Sequence, residues 1–123
     1  MIHRLLLVRH GVTTWNREGR FQGHLDPPLD PLGELEASSL AARLVSQEAG
    51  TPWIVSSPLQ RATATAQIVA DAFAADGRPT PVQLDPGLME VAQGAWQGRT
   101  HAELEVAEPD AYHAWAATGG LHE

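Results

Sequence analysis

Hydrophobic and polar positions form blocks along the chain, and the spacing of the hydrophobic residues changes from one block to the next. The first block, Leu5-Leu6-Leu7-Val8, is a continuous apolar run that is typical of a strand buried on both faces of a parallel sheet. Shorter apolar runs at residues 53–56 and 81–84 predict a second strand and a weaker third one. Helical periods separate these runs, so the order β-α-β-α-β predicts an α/β domain with a mainly parallel sheet.

Two long helices are predicted from their cap residues. Asp30 and Pro31 fit the N-cap and first helical position of one helix, and Gly50 is its expected stop. Ser57 is expected to open the next helix, with Gln60 completing a capping box. The predicted buried stripe of that second helix consists of Ala62, Ala66, Val69 and Phe73.

The rest of the chain is predicted to be loop and short helix. A polar loop covers residues 13–29, and a loop rich in glycine and tryptophan covers residues 89–98. Thr100 and Glu103 form a second candidate capping box, and residues 109–117 are expected to form the last helix.

Composition excludes several classes of protein. The chain has 123 residues, of which 43% are hydrophobic and 19% charged, and this fits one globular domain. It contains no cysteine, which excludes a disulfide scaffold, a thiolate zinc site and a cysteine nucleophile. Its apolar runs are too short for a membrane span or a signal peptide, so we expect a cytoplasmic protein that binds no membrane.

The charge balance bears on the ligand. Fifteen acidic and eight basic residues give a net charge of −7, and the basic residues are all arginine. Because nucleic-acid binding needs a basic surface, we expect no nucleic-acid partner. A bound anion would have to be held by a few arginines aimed at it.

Two predicted strand ends carry residues suited to phosphate chemistry. Arg9, His10 and Gly11 follow the first strand, and Arg61 follows the second, in the first turn of a helix. A cation there is disfavoured by about 0.3–1 kcal/mol unless an anion is bound beside it. Taken alone, Arg61 is better interpreted as a solvated surface residue, and His10 as a structural histidine.

Taken together, these motifs make the sequence similar to the histidine phosphatase superfamily, which contains phosphoglycerate mutases and many phosphomonoesterases. The matching segments keep the family's order and spacing over nearly the whole chain: residues 5–11, 14–16, 19–23, 29–33, 56–62, 65–66 and 88–90, then Gly94, Trp96 and Gly98. The resemblance implies a three-layer α/β/α fold of the phosphoglycerate mutase type.

The resemblance also implies a role for individual residues. His10 would be the phosphate-accepting nucleophile, and Glu90 the proton donor to the leaving group. Arg9 and Arg61 would clamp the phosphoryl oxygens. The further phosphate contacts implied are Asn16, Gln22 and Gly23. Arg78, in a polar turn, is expected to matter far less than Arg61.

The implied reaction needs neither a metal ion nor a cofactor, because two guanidinium groups can balance the charge on the phosphoryl oxygens. A neutral His10 ring attacks phosphorus through one nitrogen. We expect a backbone carbonyl to bond the other nitrogen and so set the tautomer. Glu90, after giving its proton, would activate the water that hydrolyses the phosphohistidine.

The favoured hypothesis is therefore a phosphomonoester hydrolase that acts on a small molecule. Residues 88–98 resemble the phosphatase branch more than the mutase branch. Two alternatives stay open: phosphoglycerate mutase-type phosphoryl transfer, and an inactive fragment that only binds anions.

One departure from the family is large. The family carries a second histidine on a later strand, which lies between the first two strands, and no histidine here fits it. We therefore expect residues 1–123 to be a single histidine phosphatase-like domain truncated at its C-terminal side. The first two strands would then pair directly, a homodimer would fill the gap, or the chain would belong to a longer polypeptide.

Overall fold

The computed structural model describes residues 4–90 and 92–118, which fall into two compact units. The first unit holds residues 4–14 and 26–89, and the second holds residues 15–25, 90 and 92–118. The elements are α1 (Thr14–Glu18), α2 (Pro31–Gln47), β1 (Ile54–Ser56), α3 (Gln60–Ala75), β2 (Val82–Leu84), α4 (His101–Ala107) and α5 (Pro109–Ala117), with 3₁₀ turns at Pro86–Leu88 and Gly94–Trp96.

A parallel strand pair with its connecting helix forms the centre of the first unit. β1 and β2 pair in parallel, with Ile54 opposite Val82 and Ser56 opposite Leu84. α3 connects the two strands and packs on both, and α2 packs on α3. Because parallel strands need such a crossover connection, the alternating pattern of the sequence leads to this arrangement. The predicted α/β class and the second and third strands are confirmed.

The predicted first strand is not formed. Residues 5–8 have no regular structure, and Leu5 and Leu7 are 75% and 89% exposed. The segment carries the apolar pattern of a buried strand, but within the described residues no strand pairs with it to complete a ladder. Direct pairing with β1, one of the three expected outcomes, is therefore wrong.

Local cap signals set the other helix starts as predicted. The Asp30 carboxylate accepts a 2.8 Å hydrogen bond from the Gly33 amide at the start of α2. The capping box of α4 is formed, with the Thr100 hydroxyl accepting from the Glu103 amide at 3.1 Å. α2 ends at Gln47, before the expected stop.

Within the described residues, no helix has the length and apolar character needed to cross a bilayer.

The start of α3 differs from the prediction. Its N-cap is Leu59, without a side-chain cap, and the Ser57–Gln60 capping box is absent. The helix begins too late for Ser57 to reach its third residue, and the Ser57 hydroxyl accepts from the Leu59 amide instead. The Gln60 amide donates to the Asp26 carboxylate at 2.6 Å, so an acid from the loop before α2 replaces the cap.

The buried face of α3 lies one residue away from the predicted stripe at its start. Ala62 and Ala66 are only half-buried. The residues that α3 buries at four-residue spacing are Arg61, Thr65, Val69 and Phe73. Val69 and Phe73 pack with Ala41 of α2 to form the apolar core of this unit. The same helical face therefore continues from the core to a polar end that carries Arg61 and Thr65.

The second unit has an aromatic core. Phe21 is buried, with ring centroids 4.4 Å from His101, 4.9 Å from Trp115 and 5.4 Å from Trp96. Leu104 of α4 is fully buried in the same unit. Large rings in such edge-to-face and tilted contacts bury much apolar area with few residues.

Arg78 is a structural residue rather than a solvated turn residue. Its guanidinium group donates to the carbonyl oxygens of Val45, Glu48 and Gly50 at 2.6–2.8 Å, and it lies 4.7 Å from the Phe73 ring centroid. The cation thereby satisfies carbonyl groups that the end of α2 leaves without helical partners. The expectation that Arg78 matters far less than Arg61 for the reaction stays a prediction, whereas these bonds give Arg78 a role in stability.

We expect Arg78→Ala to lower the free energy of unfolding by about 2–3 kcal/mol, because several charge-assisted hydrogen bonds to backbone carbonyls are lost at once. Urea unfolding followed by tryptophan fluorescence measures the change. Arg43→Ala, at an exposed position of α2, is the control and should shift stability by less than about 0.5 kcal/mol. Equal midpoints for the two variants would contradict the structural role.

Candidate active site

A short loop that contains His10 is held between two helices of the first unit. In this His10 loop, residues 10–12, the Gly11 amide donates to the Thr65 hydroxyl of α3 at 3.1 Å. The Val12 amide donates to the Glu36 carboxylate of α2 at 3.0 Å. Both hydrogen bonds connect distant parts of the sequence, and together they fix the backbone of the loop that carries the His10 side chain.

The glycine beside His10 is required by the packing of α2. A Cβ atom at Gly11 would collide with the backbone of Gly33, and one at Gly33 would collide with the backbone of Val12. Two glycines therefore allow the His10 loop to lie directly against the first turn of α2. The space beside the Gly11 Cα is therefore occupied by the backbone of α2.

The tautomer of His10 is set by the carbonyl group of the next residue. His10 Nδ1 lies 2.6 Å from the Gly11 carbonyl oxygen. A carbonyl oxygen only accepts, so Nδ1 carries the proton and donates, and in the neutral ring Nε2 carries the lone pair. This confirms the expectation that a backbone carbonyl fixes the ring. The role of His10 as nucleophile stays a prediction.

Arg61 is buried, with 1% of its surface exposed. Arginine is rarely buried unless its charge is paired. The interpretation of Arg61 as a solvated surface residue is therefore wrong. The helix that carries Arg61, α3, also carries Thr65, which anchors the His10 loop. Arg61 and the His10 loop are therefore connected through α3 within one unit.

The backbone at the start of α3 is already engaged. The Gln60 amide donates to Asp26, and the Ala62 amide donates to the Leu59 carbonyl at 3.0 Å. An anion at this helix end would therefore meet the Arg61 side chain rather than a full set of open amides. Arg9 is exposed on the segment before His10, and its predicted contact with a phosphoryl group stays a prediction.

Two of the predicted phosphate contacts lie in a tight turn of the second unit. Gln22 is buried, and Gly23 adopts a left-handed backbone with φ of 53°. The Gln97 side-chain oxygen accepts from the His24 amide at 2.9 Å and from the Gln93 amide at 3.2 Å. Gly23 is needed here because a Cβ atom would collide with the Gln97 side chain. Gln97 thus ties residues 22–24 to a second loop.

The remaining predicted residues also belong to the second unit. Asn16 is half-buried in α1, a short helix within the predicted polar loop. Glu90 is exposed. Their roles as phosphate contact and proton donor, like those of Gln22 and Gly23, stay predictions.

Sequence reasoning gave no role to three residues that organise these loops. Thr65 was noticed only as part of a matching segment, and Glu36 and Gln97 were not singled out. For Thr65 a signal existed, because a residue four positions after Arg61 lies on the same helical face. The group that bonds the Thr65 hydroxyl is the Gly11 amide, which lies 54 residues away along the chain. The spacing of residues in the sequence does not predict such a contact.

Comparison with known families agrees with the resemblance seen in the motifs. The model of the histidine phosphatase superfamily (branch 1) matches residues 5–121. The chain therefore belongs to the histidine phosphatase superfamily.

The curated relatives include proteins named as a phosphatase and as phosphoglycerate mutase-like. A glucosyl-3-phosphoglycerate phosphatase of Mycolicibacterium vanbaalenii is 40% identical over 114 residues, which cover 93% of this chain and 48% of that protein. Phosphoglycerate mutase-like protein 4 of Arabidopsis thaliana is 40% identical over 113 residues, which cover 92% and 47%. The chain spans about half the length of these curated relatives.

A solved relative supports the fold. The structure of a mycobacterial glucosyl-3-phosphoglycerate phosphatase in complex with VO3 is similar with a TM-score of 0.76 and 37% sequence identity, over 86% of this chain and 47% of that one. The predicted phosphoglycerate mutase-like fold is thus confirmed for the part that the chain covers.

Proposed function

We propose that the chain acts in the hydrolysis of phosphomonoesters through a phosphohistidine on His10. The observation that carries the proposal is the hydrogen bond from His10 Nδ1 to the Gly11 carbonyl, which leaves the lone pair on Nε2. The buried Arg61 on the helix that anchors the same loop supports it further.

In the first step, the Nε2 lone pair attacks phosphorus and the bond from phosphorus to the ester oxygen breaks in line. The leaving oxygen takes a proton from Glu90, which becomes a carboxylate. The phosphoryl group is now bonded to Nε2 and the alcohol departs. The Nδ1–H bond to Gly11 stabilises the positive charge that the ring gains in this step.

In the second step, Glu90 takes a proton from water and the resulting hydroxide attacks phosphorus. The bond from phosphorus to Nε2 breaks, the electron pair returns to the ring, and inorganic phosphate leaves. Arg9 and Arg61 would hold the equatorial oxygens in both steps, so the charge is balanced without a metal ion or a cofactor. The further contacts in this proposal are Asn16, Gln22 and Gly23.

The substrate in this proposal is a small phosphomonoester. The name of the mycobacterial relative makes a phosphate ester of a sugar-linked acid the first compound to test. The name of the plant relative keeps mutase-type transfer as the alternative. A panel that includes 3-phosphoglycerate separates the two, because a phosphatase releases inorganic phosphate and a mutase moves the group to another hydroxyl.

The experiment that tests the proposal is chemical trapping of the phosphoenzyme. The chain is mixed with ³²P-labelled aryl phosphate in the presence of a chelator and quenched with denaturant. We expect a phosphoprotein that is labile in acid and stable in base, because a phosphorus–nitrogen bond has these properties. An acid-stable adduct would indicate a hydroxyl nucleophile, and dependence on added Mg²⁺ or Zn²⁺ would contradict the metal-free reaction.

A chain that forms no adduct but binds vanadate would favour the second candidate, an inactive fragment that keeps an anion pocket. Arg61 is the observation that favours it, because a buried guanidinium can bind an anion without any chemistry. Titration with vanadate, followed by tryptophan fluorescence, measures this binding independently of turnover.

We also propose that residues 1–123 are one histidine phosphatase-like domain whose C-terminal side is incomplete, and that a second copy covers its exposed leucines. The exposed Leu5 and Leu7 support this, since large apolar groups in contact with water favour association. We expect light scattering to show a dimer that Leu7→Ser weakens at least about tenfold, by loss of roughly 1.5–3 kcal/mol of burial. Val106→Ser, at a position that is 86% exposed in the other unit, is the control. A monomer at all concentrations would contradict the homodimer.

The partners and location in this proposal follow the composition. The net charge of −7 supports a small-molecule substrate rather than nucleic acid. We propose the cytoplasm as the place of action, which cell fractionation would test.

A further inference from the structure

Thr65 occupies a position between Arg61 and the His10 loop that neither the family resemblance nor the proposed roles explain. It is 4% exposed, and its hydroxyl group takes part in two hydrogen bonds. It accepts from the Gly11 amide at 3.1 Å, and it donates to the Arg61 carbonyl at 2.8 Å. A hydroxyl has one donor and two acceptor sites, so both bonds form at once.

The Gly11 peptide groups connect this hydroxyl to the imidazole. The Gly11 amide is held by Thr65, and the Gly11 carbonyl accepts from His10 Nδ1 at 2.6 Å. The Gly11 carbonyl shares its peptide plane with the Val12 amide, which Glu36 holds at 3.0 Å, so the Thr65 and Glu36 bonds together fix the two peptide planes around Gly11. If the Thr65 bond is lost, rotation about the Gly11 backbone lets the carbonyl move away from Nδ1. An imidazole in water favours the proton on Nε2, so loss of the carbonyl shifts the proton to the nitrogen that should attack.

We propose that Thr65 is a positioning residue that sets the tautomer of His10 through Gly11. The inference rests on the proposed function in that His10 is taken as the nucleophile. Thr65 touches neither substrate nor reacting atoms in this role. Its hydroxyl joins the first turn of α3, which carries Arg61, to the residue whose carbonyl orients the ring. The same bond fixes the distance between α3 and the His10 loop.

Three substitutions separate this role from simple packing. Thr65→Val keeps the shape but removes the hydroxyl, and Thr65→Ser keeps the hydroxyl. Thr63→Val is the matched control, because the Thr63 hydroxyl also donates to a carbonyl of its own helix, that of Gln60 at 3.2 Å. Nothing in that bond reaches the His10 loop.

The first readout is the ¹⁵N NMR spectrum of the His10 ring at a pH where the ring is neutral. We expect the Nδ1–H tautomer in the wild type, in Thr65→Ser and in Thr63→Val, and a shift toward Nε2–H in Thr65→Val. The wild-type tautomer in a folded Thr65→Val variant would overturn the proposal. This readout needs no turnover, so it decides the inference even if no phosphoprotein forms and the proposed function fails.

The second readout is the rate of phosphoprotein formation. We expect Thr65→Val to slow it by about 10- to 100-fold at saturating substrate, with little change in KM, because a small displacement of a reacting group costs rate rather than binding. Thr65→Ser should restore most of the rate. Equal losses in Thr65→Ser and Thr65→Val would indicate a packing role and overturn the proposal.

If Thr65→Val does not fold, hydrogen exchange in the wild-type protein gives the answer. We expect the Gly11 amide to exchange far more slowly than an unbonded amide, because it is held by a buried hydroxyl. Exchange of the Gly11 amide at the rate of an open loop would overturn the proposal without any variant.

Discussion

Replacing His10 with alanine is expected to abolish phosphoprotein formation and to lower turnover by at least about 10³-fold. The reason is the tautomer: the Gly11 carbonyl leaves the lone pair of this ring on Nε2. Removal of a nucleophile ends covalent catalysis outright, whereas removal of a binding group only weakens it. Trapping with labelled aryl phosphate and steady-state phosphate release measure the two effects.

The matched control for this substitution is His113→Ala. The His113 ring is 62% exposed and faces the Glu105 carboxylate at 3.5 Å, so it is a surface histidine of the second unit. We expect the control to retain the wild-type amount of phosphoprotein. An acid-labile phosphoprotein that survives His10→Ala would move the nucleophile to another histidine and refute the assignment.

How far the sequence predicted the fold depended on whether the signal was local. Asp30 at the start of α2 and the Thr100–Glu103 capping box of α4 satisfy amides within their own first turns, and both form as predicted. Residues 5–8 have an equally clear apolar pattern, but a strand also needs the backbone of a neighbour. The described residues supply none, so the pattern does not produce a strand here.

The same distinction applies to the candidate site. His10 and Arg61 could be selected from their positions after predicted strands, because polar residues at such positions are unusual. The burial of Arg61 and the role of Thr65 could not, since burial depends on tertiary packing and the hydrogen-bond partner of Thr65 lies 54 residues away in the sequence. Arg78 shows the converse, because a polar turn in the sequence gave no sign of the carbonyl groups that surround its side chain.

The second large effect is expected at Arg61. Replacing it with methionine keeps much of the side-chain length but removes the charge. We expect this to lower both vanadate affinity and the rate of phosphoprotein formation by about 10²–10³-fold, by analogy with the loss of one donor to a developing oxyanion. The buried position supports a large effect, because a charge in a region of low dielectric interacts strongly with an anion. Arg43→Met, at an exposed position of α2, is the control and should leave both quantities unchanged.

Arg61→Lys separates charge from geometry, and it also covers the case in which the methionine variant does not fold. Lysine keeps the charge but offers a single ammonium group instead of the planar fork that binds two phosphoryl oxygens at once. We therefore expect Arg61→Lys to retain more vanadate affinity than Arg61→Met and still fall below the wild type. Melting temperatures measured alongside show whether a variant lost its fold or only its anion site. Wild-type vanadate affinity in a folded Arg61→Met variant would mean that this buried arginine only stabilises the structure. That result would contradict the proposal that Arg61 binds the phosphoryl oxygens.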